Sequence, residues 1–66
     1  MMVKNAKEAT IIAKDYLEND VELPFFIISK VIPENKHWIV EVSSFGTKFR
    51  IKIDKETGEI LEYIQI

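Results

Sequence analysis

Two segments in the second half of the chain alternate hydrophobic and polar residues with period two. They read Trp-Ile-Val-Glu-Val at 38–42 and Phe-Arg-Ile-Lys-Ile at 49–53. Such alternation is typical of strands that bury one face. Gly46 lies between the segments and predicts a tight turn in which the glycine takes a positive φ. We therefore expect strands at 37–43 and 47–54, joined by a hairpin turn at 44–47.

The short turn also predicts how these two strands pair. If Ser44 lies opposite Thr47, apolar residues face one another on one side of the sheet. The apolar pairs are Trp38 with Ile53, Val40 with Ile51, and Val42 with Phe49. The pairs on the opposite side are Glu41 with Arg50 and Ile39 with Lys52.

A first and a fourth strand complete the predicted sheet. Pro24 pushes the residue before it into an extended conformation, so we expect a strand at 25–32 and then a turn at 33–36. Gly58 predicts a second turn with positive φ, followed by a strand at 59–66. Two registers of this last strand stay open. Its outward pair is either Leu61 with Tyr63 or Ile60 with Ile64.

The N-terminal segment from Asn5 to about Asn19 has the spacing of an amphipathic helix. Its apolar stripe comprises Ala6, Ala9, Ile12, Ala13, Tyr16 and Leu17. Asn5 can cap the helix, with Glu8 placed three residues later as in a capping box. The small alanines allow a close approach to a sheet. The predicted fold class is therefore α+β, with one N-terminal helix packed on a four-stranded antiparallel β-meander as a two-layer sandwich, in a single domain over residues 1–66.

Composition narrows the classes of function. A chain of 66 residues buries roughly 60% of the surface that its unfolded form exposes, so association would add stability. The absence of cysteine excludes disulfides and thiolate zinc sites. Lys and Arg number 9 against 11 Asp and Glu, which argues against a nucleic-acid partner. No apolar run has the length of a membrane span and no signal peptide is visible, so we expect a cytoplasmic protein without membrane insertion.

The order of these motifs resembles the PepSY domain and its PepSY-like relatives. The helix has the form Ala-x-x-Ala-x-x-x-Ala-x-x-Tyr-Leu at 6–17. The hairpin strands read Trp-x-Val-x-Val and Phe-x-Ile-x-Ile-Asp, and the last turn reads Thr-Gly-Glu-Ile at 57–60. The resemblance covers nearly the whole chain. It implies a small α+β domain that acts as a binding or inhibitory module, often on peptidases, and that carries no catalytic residues.

The residues that could carry chemistry do not combine into a reactive set. His37 is the only histidine, and the nearest carboxylate in the expected pairing is that of Asp54. Two ligands are too few for a metal site. Asp54, Glu56 and Glu59 cluster at the last turn, where we expect Asp54 and Thr57 to bond the turn's own backbone. We therefore predict no catalytic, cofactor-binding or metal-binding residue, and a protein that is not an enzyme.

Two further features admit a binding role beside a structural one. Lys48, Arg50 and Lys52 form a basic stripe on the outward side of the third strand, which could bind a small ligand or nucleic acid. Glu41 and the fourth strand match much of that charge, so a solvated face is the favoured interpretation. Trp38 alternates in phase with the core residues, so packing is favoured over ligand stacking.

The side of the sheet turned away from the helix carries more apolar residues than a solvated face needs. By simple alternation it includes Phe26, Ile28, Ile32 and Ile39. The fourth strand is also a sheet edge without Lys or Pro, which leaves it open to pairing with another chain. The interface candidates are Ile28, Ile39, Leu61, Tyr63, Ile64 and Ile66.

The leading hypothesis from these observations is a PepSY-like protein-interaction module. It would form a homodimer or bind a protein partner through the outward side of its sheet or through its fourth strand. The alternative is a small-ligand or nucleic-acid-binding domain that uses the basic stripe at Lys48, Arg50 and Lys52.

Overall fold

A computed structural model describes residues 2–66 of the chain. The helix α1 spans Ala6–Asp15 and continues as one wider π-helical turn, Tyr16–Asp20. Four strands follow, namely β1 at Ile27–Pro33, β2 at His37–Ser44, β3 at Thr47–Asp54 and β4 at Ile60–Gln65. They form one antiparallel sheet in the order β1-β2-β3-β4, and α1 contacts β1, β2 and β3. The predicted α+β class, with one helical element before a four-stranded meander, is confirmed.

The predicted cap sets the start of α1. Asn5 is extended, and its side chain accepts a hydrogen bond from the Glu8 amide at 2.9 Å. The Glu8 carboxylate accepts from the amide of Lys4 at 2.7 Å, one residue before the position that a capping box uses. At the other end, the Val21 amide donates to the Tyr16 carbonyl in the i→i+5 pattern. The helix therefore ends in a π-turn rather than as the continuous α-helix that the sequence predicts.

The β2–β3 hairpin has the predicted register throughout. Its loop has two residues, Phe45 and Gly46, with φ of 51° and 80°. Positive φ at both positions is what a type I′ turn needs, and the twist of this turn matches that of the flanking strands. Gly58 has φ of 78° in the next turn. The predicted positive φ at both glycines is confirmed.

Two β-bulges determine which side chains of the outer strands face the helix. One lies at Ser29 in β1 and the other at Leu61 in β4. A bulge inserts one extra residue and so reverses the alternation beyond it. As a result, Ile60 and Tyr63 both pack against the core although they are separated by an odd number of positions.

The bulges correct the sequence-based assignment of faces. Phe26 and Ile28 pack against the core, so their expected place on the outward side is wrong. Ile60 and Tyr63 both pack against the core as well, so neither of the two outward pairs left open for the fourth strand occurs. Phe26 also precedes the strand, because β1 begins at Ile27 rather than at residue 25. Ile32 does point outward, where it lies opposite Ile39 of β2.

The core lies between α1 and the inner side of the sheet. Its buried residues are Val3, Ala9, Ala13, Leu17, Trp38, Val40, Val42, Ile51 and Ile53. Ala9 and Ala13 are fully buried at the helix–sheet contact, as predicted. Their small side chains let α1 approach the sheet closely enough for larger residues on either side to interlock.

Trp38 is buried, as predicted, and it also ties the N-terminal segment to the sheet. Its Nε1 donates to the Val3 carbonyl at 3.1 Å, and the Val3 amide donates to the Lys55 carbonyl at 2.7 Å. The Lys55 ammonium lies 5.3 Å from the centre of the indole ring. We call the two hydrogen bonds that Val3 makes, one with Trp38 and one with Lys55, the Val3 clamp.

Within residues 2–66, no helix is long and apolar enough to cross a membrane.

Candidate interaction surface

The outer face of the sheet, turned away from α1, is a mixed polar and apolar surface. Strand pairing places its side chains in rows that run across the sheet. One row comprises Lys30, Glu41, Arg50 and Ile64, and the next comprises Ile32, Ile39, Lys52 and Glu62. Apart from Ile39, the apolar members lie at the ends of the rows. The outer face is therefore not the continuous apolar surface that the sequence predicts.

Acidic residues neutralise much of the basic stripe. Glu41 lies opposite Arg50, and the Lys52 Nζ is 3.6 Å from a carboxylate oxygen of Glu62. Lys48, the third member of the stripe, is exposed. An exposed ion pair such as that of Lys52 adds little stability. The ion pair of Lys52 with Glu62 does, however, lower the positive potential that a phosphate group would meet at the stripe.

A shallow groove of about 280 Å³ crosses the outer face near the β1–β2 turn. Its lining comprises Ile32, Glu34, His37, Ile39, Glu41, Arg50 and Lys52. The His37 Nε2 lies 3.5 Å from a carboxylate oxygen of Glu34. Within residues 2–66, no three His, Asp or Glu side chains converge in a way that could hold a metal ion. The groove can offer a bound group hydrogen bonds from Arg50 and His37 beside two isoleucines.

Ile39, the central interface candidate, is largely covered. Its side chain lies on the outer face but is only 9% exposed. Its cross-strand neighbours are Ile32 on one side and Lys52 on the other. Ile39 can therefore add little new buried area in a complex.

The exposed interface candidates lie on β4 and on the residue after it. Leu61 is 50% exposed, and Ile64 and Ile66 are also exposed. Between residues 60 and 65, β4 has neither Lys nor Pro, the residues that most often protect a sheet edge. Apolar exposure and an unprotected edge therefore coincide on one strand.

The backbone of β4 has one unpaired side. The Ile66 amide donates to the Lys48 carbonyl at 2.9 Å. In an antiparallel pair, residues that bond to the neighbouring strand alternate with residues that point away from it. Every second residue back from Ile66 therefore bonds to β3. Along this regular run, Tyr63 and Gln65 direct both their amide and carbonyl groups to the open edge. Leu61 directs its carbonyl there, because that carbonyl points opposite to the Glu62 amide of the same trans peptide, whereas the bulge takes its amide out of the alternation.

An aromatic cluster lies on the inner side of this edge. The rings of Phe49 and Tyr63 stack with centroids 5.2 Å apart, and Tyr16 packs edge-on against Tyr63 at 5.7 Å. All three residues are only partly buried, because α1 crosses β1, β2 and β3 rather than β4. Burial, with a smaller contribution from Tyr16, raises the pKa of the Tyr63 phenol above its ordinary value.

The acidic turn after β3 is structural, as its residues predict. The Asp54 carboxylate accepts hydrogen bonds from the amides of Glu56 and Thr57 at 2.8 and 3.0 Å. The Thr57 hydroxyl accepts from the Glu59 amide at 3.2 Å. The hydrogen bonds from these two amides lower the pKa of Asp54 below its ordinary value, and the bond from Thr57 has the larger effect. The nearby His37 lowers this pKa further. Its carboxylate is thus committed to the turn.

A second exposed aromatic feature is not predicted by the sequence interpretation. Phe45 at the tip of the β2–β3 turn is 76% exposed, and its ring lies 5.8 Å from that of Phe25, which is also exposed. The Ser44 hydroxyl, which is buried, donates to the Phe25 carbonyl and holds the two segments together. The signal was present in the sequence, because Phe-Gly in a two-residue hairpin loop puts the phenylalanine at the tip.

No family model, no curated protein and no solved structure matches this chain. The resemblance to PepSY domains rests on the sequence motifs alone.

Proposed function

We propose that the protein is a non-enzymatic protein-interaction module that self-associates or binds a protein partner through its sheet. One observation carries this proposal. β4 is an edge strand with unpaired backbone groups and no Lys or Pro, and it presents the exposed side chains of Leu61, Ile64 and Ile66. Such an edge is a template for pairing with another chain.

The size of the domain supports the same conclusion. Among residues 2–66, nine hydrophobic residues form the buried core, and the sequence has no cysteine that could reinforce it with a disulfide. Small domains commonly need an additional source of stability. Covering the exposed apolar side chains at β4 would contribute roughly 25 cal/mol per Å² of apolar area before the costs of association.

We also propose that the module is PepSY-like, as the order of its motifs implies. The alanine stripe of the helix, the Trp38 hairpin and the turn from Asp54 to Gly58 support this hypothesis. A peptidase-regulating role is the functional implication. It is tested by adding the purified protein to metallopeptidases and following the hydrolysis of a reporter peptide. Unchanged rates at a large excess of the protein would remove that role.

The alternative function is binding of a small ligand or nucleic acid by the basic stripe at Lys48, Arg50 and Lys52. The observation in its favour is the groove that Arg50 and Lys52 line on the outer face. Glu41 and Glu62 reduce its positive charge, so we rank it second. Salt separates the two classes, because phosphate binding weakens steeply as salt rises whereas apolar association persists.

The deciding experiment is sedimentation over a range of protein concentrations, in which the parent is compared with a variant that carries added lysines at β4 and at the residue after it. The variant Leu61→Lys/Ile66→Lys places two cations on exposed positions, and Ile11→Lys is the matched control on an exposed position of α1. We expect the double variant to assemble less than the parent and the control to assemble like it. If the parent remains a monomer at high concentration and its solubility equals that of the double variant, self-association through the sheet is wrong.

A cytoplasmic location is part of the proposal. Fractionation of cells that express the tagged protein tests it, and recovery from a membrane or secreted fraction would contradict it.

A further inference from the structure

We propose that two copies of the chain pair antiparallel through β4, with the two-fold axis passing beside Tyr63. This inference rests on the proposed function and specifies the partner as a second copy, the pairing strand as β4, and the register of the pair. It follows from the direction of the backbone groups at the open edge, the charges on β4 and the aromatic cluster on its inner side.

Of the two sheet edges, β4 is the one open to pairing. β1 carries Lys30 near its middle, a bulge at Ser29 and Pro33 at its end. Each of these features discourages another strand from docking. β4 has one bulge, at Leu61, and the run from Glu62 to its end pairs regularly with β3.

The alternation of backbone groups restricts the register. Tyr63 and Gln65 direct their amides and carbonyls outward, and Leu61 directs its carbonyl outward. These residues must therefore face one another across the pair. A two-fold axis at Tyr63 satisfies this condition at all three positions. Tyr63 then faces Tyr63 of the second copy, and Leu61 faces Gln65 of the second copy.

The neighbouring symmetric registers are poorer. An axis at Glu62 would place two glutamates directly opposite each other in a non-hydrogen-bonded pair, where side chains are closest and like charges repel. An axis at Ile64 would place Tyr63 opposite Gln65 of the second copy, away from the axis, so the two aromatic clusters would not meet. The axis at Tyr63 instead places Glu62 across from Ile64 of the second copy, and Glu62 keeps its contact with Lys52 of its own chain.

The aromatic cluster supplies the side-chain contribution. Tyr63 stacks on Phe49 and touches Tyr16, but these rings are covered only partly within one chain. In the proposed pair the two Tyr63 rings lie on the same inner side at the axis, so each cluster covers the exposed flank of the other. Aromatic side chains at the centre of an interface commonly carry much of its binding energy.

Proline at position 65 tests the edge pairing. The Gln65 amide points away from β3, so Gln65→Pro leaves the β3–β4 hydrogen bonds in place and removes a donor from the open edge. Gln65→Ala, which retains the amide, is the matched control. In sedimentation equilibrium we expect the parent and Gln65→Ala to approach twice the 7.7 kDa chain mass. We expect Gln65→Pro to raise the dissociation constant by about tenfold or more.

Single cysteines test the register, since the chain has none of its own. Residues that face one another in a hydrogen-bonded pair have Cα atoms about 5.5 Å apart, within the range that a disulfide spans. In a glutathione redox buffer, Tyr63→Cys should cross-link with itself. Glu62→Cys and Ile64→Cys should each stay largely uncrosslinked alone but form a disulfide when mixed.

The outcomes distinguish the inference from the proposed function. A parent that stays monomeric overturns both the dimer and the self-association on which it rests. A Gln65→Pro variant that folds, by circular dichroism, and still dimerises like the parent overturns β4 pairing while leaving association through the outer face. Preferred self-linking of Glu62→Cys or Ile64→Cys over Tyr63→Cys overturns the register. The cysteine experiment decides the question even if the proline variant fails to fold.

Discussion

Replacing Ala13 with leucine should destabilise the fold by about 1–3 kcal/mol, because the larger side chain has no room between α1 and the sheet. Ala13 is fully buried in the core, on the side of the helix that meets the strands. Extra methylene groups there either force neighbouring side chains out of their preferred rotamers or move the helix outward. For a domain of this size, each kcal/mol lowers the melting temperature by about 4–8 °C.

The matched control is Ala6→Leu, the same substitution at an exposed position of the same helix. Leucine and alanine have similar helix propensities, so this variant should unfold almost as the parent does. Urea titrations followed by circular dichroism measure both changes, at one fixed protein concentration because association adds to the apparent stability. If Ala13→Leu unfolds at the same urea concentration as the parent, the helix does not sit on the sheet as described.

Three other predictions test the core, the hairpin and the aromatic cluster. Trp38→Ala should cost about 3–5 kcal/mol, and the native emission of Trp38 should be blue-shifted; a maximum typical of exposed indole would contradict its burial. Gly46→Ala should lower the free energy of unfolding by about 1 kcal/mol. The loss should come from backbone strain alone, since no heavy atom lies within 4 Å of the added Cβ, and Gly46→Asn should recover part of it. Because the pKa of the Tyr63 phenol is raised, its contribution to stability is complete below the ordinary tyrosine pKa and is lost as the pH rises through the folded value. Absorbance titration of phenolate should show Tyr63 ionising at a higher pH in the folded protein than in urea, and ionisation at the same pH in both states would refute this.

The hairpin was predictable because its constraints are local. Two alternating strands joined by a two-residue loop allow only one register that keeps Trp38, Val40 and Val42 on the same side. The structure has that register. The burial of Ala9 and Ala13 was predictable in the same way, from helical spacing and side-chain size.

The faces of the outer strands were not predictable from alternation. Bulges at Ser29 and Leu61 reverse the alternation, and nothing in the local pattern marks either residue as an insertion. Phe26 and Ile28 fall in a continuous apolar run, which carries no information about sidedness. Consequently Ile28 and Tyr63 face the core, and the exposed candidates are Leu61 and Ile64 of β4 and Ile66 after it. The open edge itself was predictable, because it follows from strand order and from the missing Lys and Pro.

The Val3 clamp has a consequence for the order in which the molecule folds and unfolds. Every strand of the meander pairs with the strand next to it in the chain, whereas the hydrogen bond from Trp38 to Val3 joins residues 35 positions apart. Closing so long a loop costs entropy that the hairpins do not incur. We therefore expect the clamp to form after the main folding barrier and to release early in unfolding. Val3→Ala keeps both hydrogen bonds of the clamp but removes the buried side chain that anchors the clamped segment in the core. It should then speed unfolding in stopped-flow experiments while leaving the refolding rate nearly unchanged, and a slowed refolding would place this segment in the nucleus instead.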